Sequence, residues 1–89
     1  MKTVTYCGRN ADFVMEIDED VFDDMELIED LAALDAGDGG ALLRVTDRLL
    51  GFRKKELYDA IRDEHGRVPR KTFGEAMGVI IQAAIPKNV

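Results

Sequence analysis

Near the end of the chain Phe73, Ala76, Met77, Ile80, Ile81 and Ala84 recur at steps of 3, 1, 3, 1 and 3. That rhythm belongs to one face of an α-helix. A helix with so wide an apolar stripe is not stable bare in water, so the rest of the chain must cover it. With 89 residues and 9.9 kDa the cover comes from one small domain. A domain of this size buries about 60 to 65% of the surface its unfolded chain exposes, which leaves little core to enclose a deep catalytic pocket. Binding or assembly is therefore favoured over catalysis.

Three earlier segments also read as helices. Asp23 with Glu26 three residues later forms an Asp-type capping box ahead of Met25, Leu27, Ile28, Leu31 and Leu34. Asp38 caps a second helix with Leu42, Val45 and Leu49 inward, ended by Gly51. A third carries Leu57, Tyr58 and Ile61 and leaves through Gly66, and Pro69 sits in the first turn of the fourth. The expected spans are 21–36, 39–50, 53–64 and 69–84. Gly74 and Gly78 lie inside the fourth, where each costs about 1 kcal/mol relative to Ala, so a closely approaching backbone is expected at one of them.

Ahead of the helices, Lys2 to Cys7 is rich in Thr, Val and Tyr, and Asp12 to Ile17 alternates Phe13, Met15 and Ile17 with more polar neighbours. Gly8-Arg9-Asn10 supplies the turn of a β-hairpin. A lone hairpin is marginal in water, so its Phe13/Met15/Ile17 face must rest on helices or on another subunit. The expected fold is mainly α, a compact four-helix domain with a short N-terminal β-hairpin. One domain spans 1–89, with the hairpin at 1–17, the helical part at 20–85 and a tail at 86–89. Phe22, Leu27, Ile28, Leu31, Leu49, Leu57, Ile61, Phe73, Met77 and Ile80 form the expected core.

Residue types narrow the chemistry. Ser and Trp are absent, and Cys7 and His65 are single. A Ser-His-Asp triad and a thiolate or imidazole zinc cage are thereby excluded, and neither a metal nor a cofactor is expected. No apolar signal core opens the chain, and no segment reaches the roughly 20 apolar residues of a membrane span, so a reducing cytoplasm is the expected setting.

Charge is divided unevenly. Residues 1–43 carry 12 acids and 2 bases, a net −10, while residues 44–89 carry 6 acids and 10 bases, a net +4. From Glu16 to Asp38 run 11 acids without one Lys or Arg, a stretch that repels nucleic acid. The bases Arg53, Lys54, Lys55, Arg62, Arg67, Arg70 and Lys71 are expected to face the acidic first helix, in the same molecule or a neighbour. A calcium loop starting at Asp35 fails because its third, fifth and twelfth positions hold Gly37, Gly39 and Thr46. The split charge predicts weak, salt-sensitive, head-to-tail oligomers.

The run from Asp23-Asp24-Met25-Glu26-Leu27 to Asp38, then Leu49-Leu50-Gly51, then Ile61-Arg62-Asp63-Glu64-His65-Gly66-Arg67-Val68-Pro69, resembles the small tail assembly chaperones of long-tailed phages and prophages of Gram-positive hosts. The resemblance covers about residues 12 to 84. Met25 stands where many members carry an aromatic. The resemblance implies a non-enzymatic helper that binds the tape-measure protein and tail-tube subunits in the host bacterial cytoplasm and is absent from the mature virion. Neither nucleic acid nor membrane is an expected partner.

A tape measure is a long helical chain with apolar stripes, which a small amphipathic protein covers as helix in groove. Met25, Phe73, Met77, Ile80 and Ile81 are the candidate partner contacts, and the competing reading makes all five ordinary core. An acidic inhibitor or nucleic-acid mimic acting on a host protein is the alternative function, carried by the 11-acid run. The family also implies a longer, frameshifted form of the chain. Pro86-Lys87-Asn88 is compatible with a slippery CCA-AAA-AAC at those codons.

Overall fold

The computed structural model describes residues 1–86, so the tail beyond Pro86, with the codons of the expected frameshift, lies outside the described residues. Strands β1 (Lys2–Cys7) and β2 (Asp12–Ile17) form an antiparallel hairpin in the register Lys2↔Ile17 to Cys7↔Asp12. Val4, Phe13 and Ile17 are buried on its inner face, with Met15 half-buried between them, as the alternation predicts.

The first expected helix is divided. Glu19–Asp23 forms a 3-10 turn that buries Phe22, and α1 follows over Met25–Asp35. The N-cap is Asp24 rather than Asp23: its carboxylate accepts the Glu26 N–H at 2.9 Å from an extended backbone. Burying Phe22 holds Asp23 inside the 3-10 turn, and that moves the helix start one residue on. Gly37, at φ 97°, carries the chain out of α1 in a conformation that suits glycine.

Asp38 caps α2 (Gly39–Leu50) through the Gly40 N–H at 2.9 Å, matching the expected span. After a second 3-10 turn, Gly51–Arg53, α3 covers Lys54–Ile61. This is shorter than the expected 53–64. The Asp63 carboxylate accepts the N–H groups of His65 and Arg67, both at 2.9 Å, and so stabilises a loop where the helical pattern alone would run on. Helix α4 spans Arg70–Ala84, with Pro69 as its N-cap residue just outside the first turn.

The molecule is mainly helical with an N-terminal hairpin, but its helices do not form a regular four-helix bundle. Helices α1 and α2 pair with each other, α4 lies against β1, and the two turns of α3 bridge β2, α2 and α4. One hydrophobic cluster runs through hairpin and helices, including Val4, Phe13, Leu27, Val45, Leu57, Ile61, Met77 and Ile80. Tyr58 meets Phe73 edge to face at 5.4 Å. Ile28 and Leu31, expected in the core, are only half-buried. They sit on the side of α1 that turns toward α4 across an open depression.

Candidate functional site

That depression is an open groove between two helical faces. On α1 Ile28, Leu31, Ala32 and Asp35 follow the i, i+3, i+4, i+7 spacing, and on α4 Glu75, Gly78, Val79 and Gln82 do the same. Leu34, Ile81, Ala83 and Ile85 complete a mostly apolar lining. Helix α4 therefore has two working faces. One, with Phe73, Ala76, Met77, Ile80 and Ala84, is buried, and the other, about half a turn away, lines the groove.

This division separates the sequence-predicted contact residues. Phe73, Met77 and Ile80 are in the core, so the competing reading describes their place in the fold and they offer no surface to a partner. Ile81 is half-buried and lines the groove. Met25 is 65% exposed at the start of α1 and is not part of the groove lining. Of the groove residues only Ile81 is among the sequence-predicted contacts, and the most exposed large apolar one is Val79, at 48%. A signal for it was present: Met77-Gly78-Val79-Ile80-Ile81 is a run of consecutive apolar residues, and a helix that buries one stripe must turn part of such a run outward.

Among the described residues nothing packs closely on the two glycines of α4: a Cβ built on Gly74 or Gly78 meets no atom of them within 4 Å. At Gly78 that empty space belongs to the groove. Gly74→Ala should therefore raise stability by about 0.5 to 1 kcal/mol, since alanine favours the helix and nothing obstructs it. Thermal melts of the two proteins measure this; an unchanged or lowered midpoint contradicts the open space around Gly74.

Electrostatics organise the back of α1. Asp30, only 9% exposed, accepts from Arg44 Nε at 2.8 Å and Arg48 Nε at 2.9 Å, and so joins α1 to α2. Arg44 also reaches Asp38 at 3.3 Å, and Arg48 reaches Asp24 and Glu26 at 3.5 Å. These two arginines supply the cations that meet the acidic first helix. Of the seven bases expected there, three pair locally instead: Arg53 with Glu56, Lys54 with Asp47 and Arg62 with Asp59. Side chains three to seven positions apart reach each other more cheaply than a distant helix does. Asp18, Asp24 and Asp38 are caps, so much of the long acidic run has structural employment.

The hydrogen bond from Arg44 holds the Asp30 carboxyl below the usual carboxylate range, and Arg48 adds to this against the opposing effect of burial. The Asp38 carboxyl is lowered by Arg44 and then by the Gly40 N–H. Because these folded-state values lie below the unfolded value of about 3.9, the stabilisation is complete above that pH and is lost as pH falls through the folded values. Asp30→Asn should lower the melting temperature at neutral pH and flatten its decline below about pH 4, since Asn carries no titrating charge. Melts across an acid pH series test this, and parallel curves for the two proteins contradict it.

Among the described residues no group of three or more His, Cys, Asp or Glu is placed to hold a metal ion, and no helix is long and apolar enough to cross a membrane. Cys7 is an exposed free thiol at the end of β1. Comparison with models of known protein families, with curated proteins and with solved structures found no match to this chain.

Proposed function

We propose that the chain is a non-enzymatic tail assembly chaperone of a long-tailed phage or prophage. It binds the tape-measure protein, and through it meets tail-tube subunits, in the cytoplasm of a bacterial host, and it leaves before the virion is complete. The resemblance over residues 12 to 84 supplies the identity of the partner. The observation that carries the reading is the open, mostly apolar groove lined by side chains of α1 and α4. An amphipathic helix laid there would bury its apolar face against Ile28, Leu31, Val79 and Ile85. Asp35 and Glu75 line the same groove and suit a helix whose flanks are basic. Exposed acids elsewhere would keep the complex in solution while the long client is still unsheathed.

The test is co-expression with the tape-measure protein encoded by the same genome. The native chain should co-purify with it, and Val79→Lys, which places a cation in the groove at an exposed position, should not. Equal recovery with both chains would contradict a groove-based client site.

A further inference from the structure

The groove is unbalanced in charge. Its lining holds two acids, Asp35 and Glu75, and no base. Neither acid is in an ion pair among the described residues, and the two arginines of α2 are engaged by Asp24, Glu26, Asp30 and Asp38. Asp35 is the last residue of α1, whose last turn carries no base, so the negative pole of the helix adds to its field. The groove is also notched. Gly78 lies inside α4, where glycine costs stability relative to alanine, yet among the described residues nothing comes within 4 Å of a Cβ built on it. In the lining of α4 Glu75 stands one turn before it and Gln82 one turn after, with Val79 beside it, so the wall drops to bare backbone at Gly78. The wall formed by α1 carries another small side chain, Ala32, one turn from Ile28 and from Asp35.

We infer that the client segment taken by this groove is a helix with basic flanks and a small residue, Gly, Ala or Ser, at the point where it crosses Gly78. This rests on the chaperone reading and names the chemistry by which the site selects its partner. Helices that meet through ordinary side chains lie about 8 to 10 Å apart. Glycine on one helix and a small residue on the other remove the side chains that set this distance, so the backbones come closer. The closer approach lets Cα–H groups of one helix reach carbonyls of the other and tightens the contact of Val79 and Ile28 with the client's apolar face. Lys or Arg on the client's flanks supplies the cations that Asp35 and Glu75 lack. The notch rejects a client with a large residue at the crossing, and the acids reject an acidic one. Gly78 thus gives up helix stability for binding, whereas Gly74, which is not part of the groove lining, has no such role.

Binding of the full-length chain to the immobilised tape-measure protein of the same genome, read together with thermal melts, tests the inference. Gly74→Ala and Gly78→Ala should each raise the melting midpoint by about 2 to 8 °C, since alanine favours the helix and nothing obstructs it at either site. Gly74→Ala should then bind as the native chain does, while Gly78→Ala should bind at least about tenfold more weakly, because its methyl group holds the two helices apart. A merely structural role for Gly78 does not give higher stability with lower affinity. The double variant Asp35→Asn/Glu75→Gln should bind more weakly at low salt and lose most of the salt dependence that the native chain shows. Native affinity in Gly78→Ala, a lowered midpoint for that variant, or unchanged binding in the double variant would each overturn the inference. The chaperone reading is judged separately by Val79→Lys. Loss of binding in Val79→Lys with native affinity in Gly78→Ala would leave that reading standing and remove this one, and a native chain that does not bind the tape-measure protein would remove both.

Discussion

Replacing Leu57 with alanine should lower the unfolding free energy by about 2 to 5 kcal/mol, the range for emptying a buried leucine site. Leu57 is fully buried on α3, in the cluster that joins hairpin, α2 and α4. A two-turn helix has little stability of its own, so loss of its principal anchor reaches every element that rests on it. For a domain of this size each kcal/mol shifts the melting midpoint by about 4 to 8 °C, which makes the change large enough to leave much of the protein unfolded near 40 °C. Leu31→Ala supplies the contrast. Leu31 is half-buried beside the groove, so its removal should cost about 1 to 2 kcal/mol. Urea titrations of both variants check the ranking, and a larger loss at Leu31 than at Leu57 would contradict the division between core and groove.

A second large effect is expected at Gly8. A Cβ there would lie 2.6 Å from the Ala60 carbonyl oxygen and 2.8 Å from that of Ala11, and both obstacles are backbone. The hairpin turn docks on the end of α3 at this point. Asn10 donates its backbone N–H to the Ala60 carbonyl at 2.8 Å and its side-chain amide to the Asp59 and Arg62 carbonyls at 2.9 and 2.8 Å. These bonds satisfy carbonyls that a helix C-terminus leaves open. Gly8→Ala must push the turn away from α3, a strain worth about 1 to 3 kcal/mol, with loosening of the Asn10 bonds added to it. Amide exchange at Asn10 should quicken in parallel. A Gly8→Ala protein with native stability and native protection at Asn10 would show that the turn is not pinned as described.

Local signals were legible where one residue decides an outcome. The strand limits followed from alternation and from Gly8-Arg9-Asn10, and α2 was bounded correctly by Asp38 and Gly51. Boundaries failed where tertiary contacts choose between neighbours of similar chemistry. Asp23 and Asp24 are equally good caps in isolation, and only the burial of Phe22 in the preceding 3-10 turn selects Asp24. In the same way Asp63 ends α3 early by capturing two amide groups downstream.

The site was legible only in outline. Periodicity identified α4 as the main amphipathic element, yet it could not say which apolar residues would face the core, because that depends on what packs on each side. The hairpin and α3 cover Phe73, Met77 and Ile80, whereas Val79 stays 48% exposed among the described residues. Asp30 was hidden among 11 acids, and its partners Arg44 and Arg48 are adjacent only because α2 folds back along α1. The turn residue Asn10 gave no hint of its work on α3, a contact spanning about fifty residues of sequence.

A client helix is expected to bind in the groove between α1 and α4. Backbone amide shifts of the chain, followed during titration with an amphipathic helical segment of the tape-measure protein, report where that helix binds. The largest changes are expected at Ile28, Leu31, Gly78, Val79 and Ile85, with α3 and the hairpin nearly unmoved. Changes centred on the hairpin or α3, with the groove residues unmoved, would contradict it.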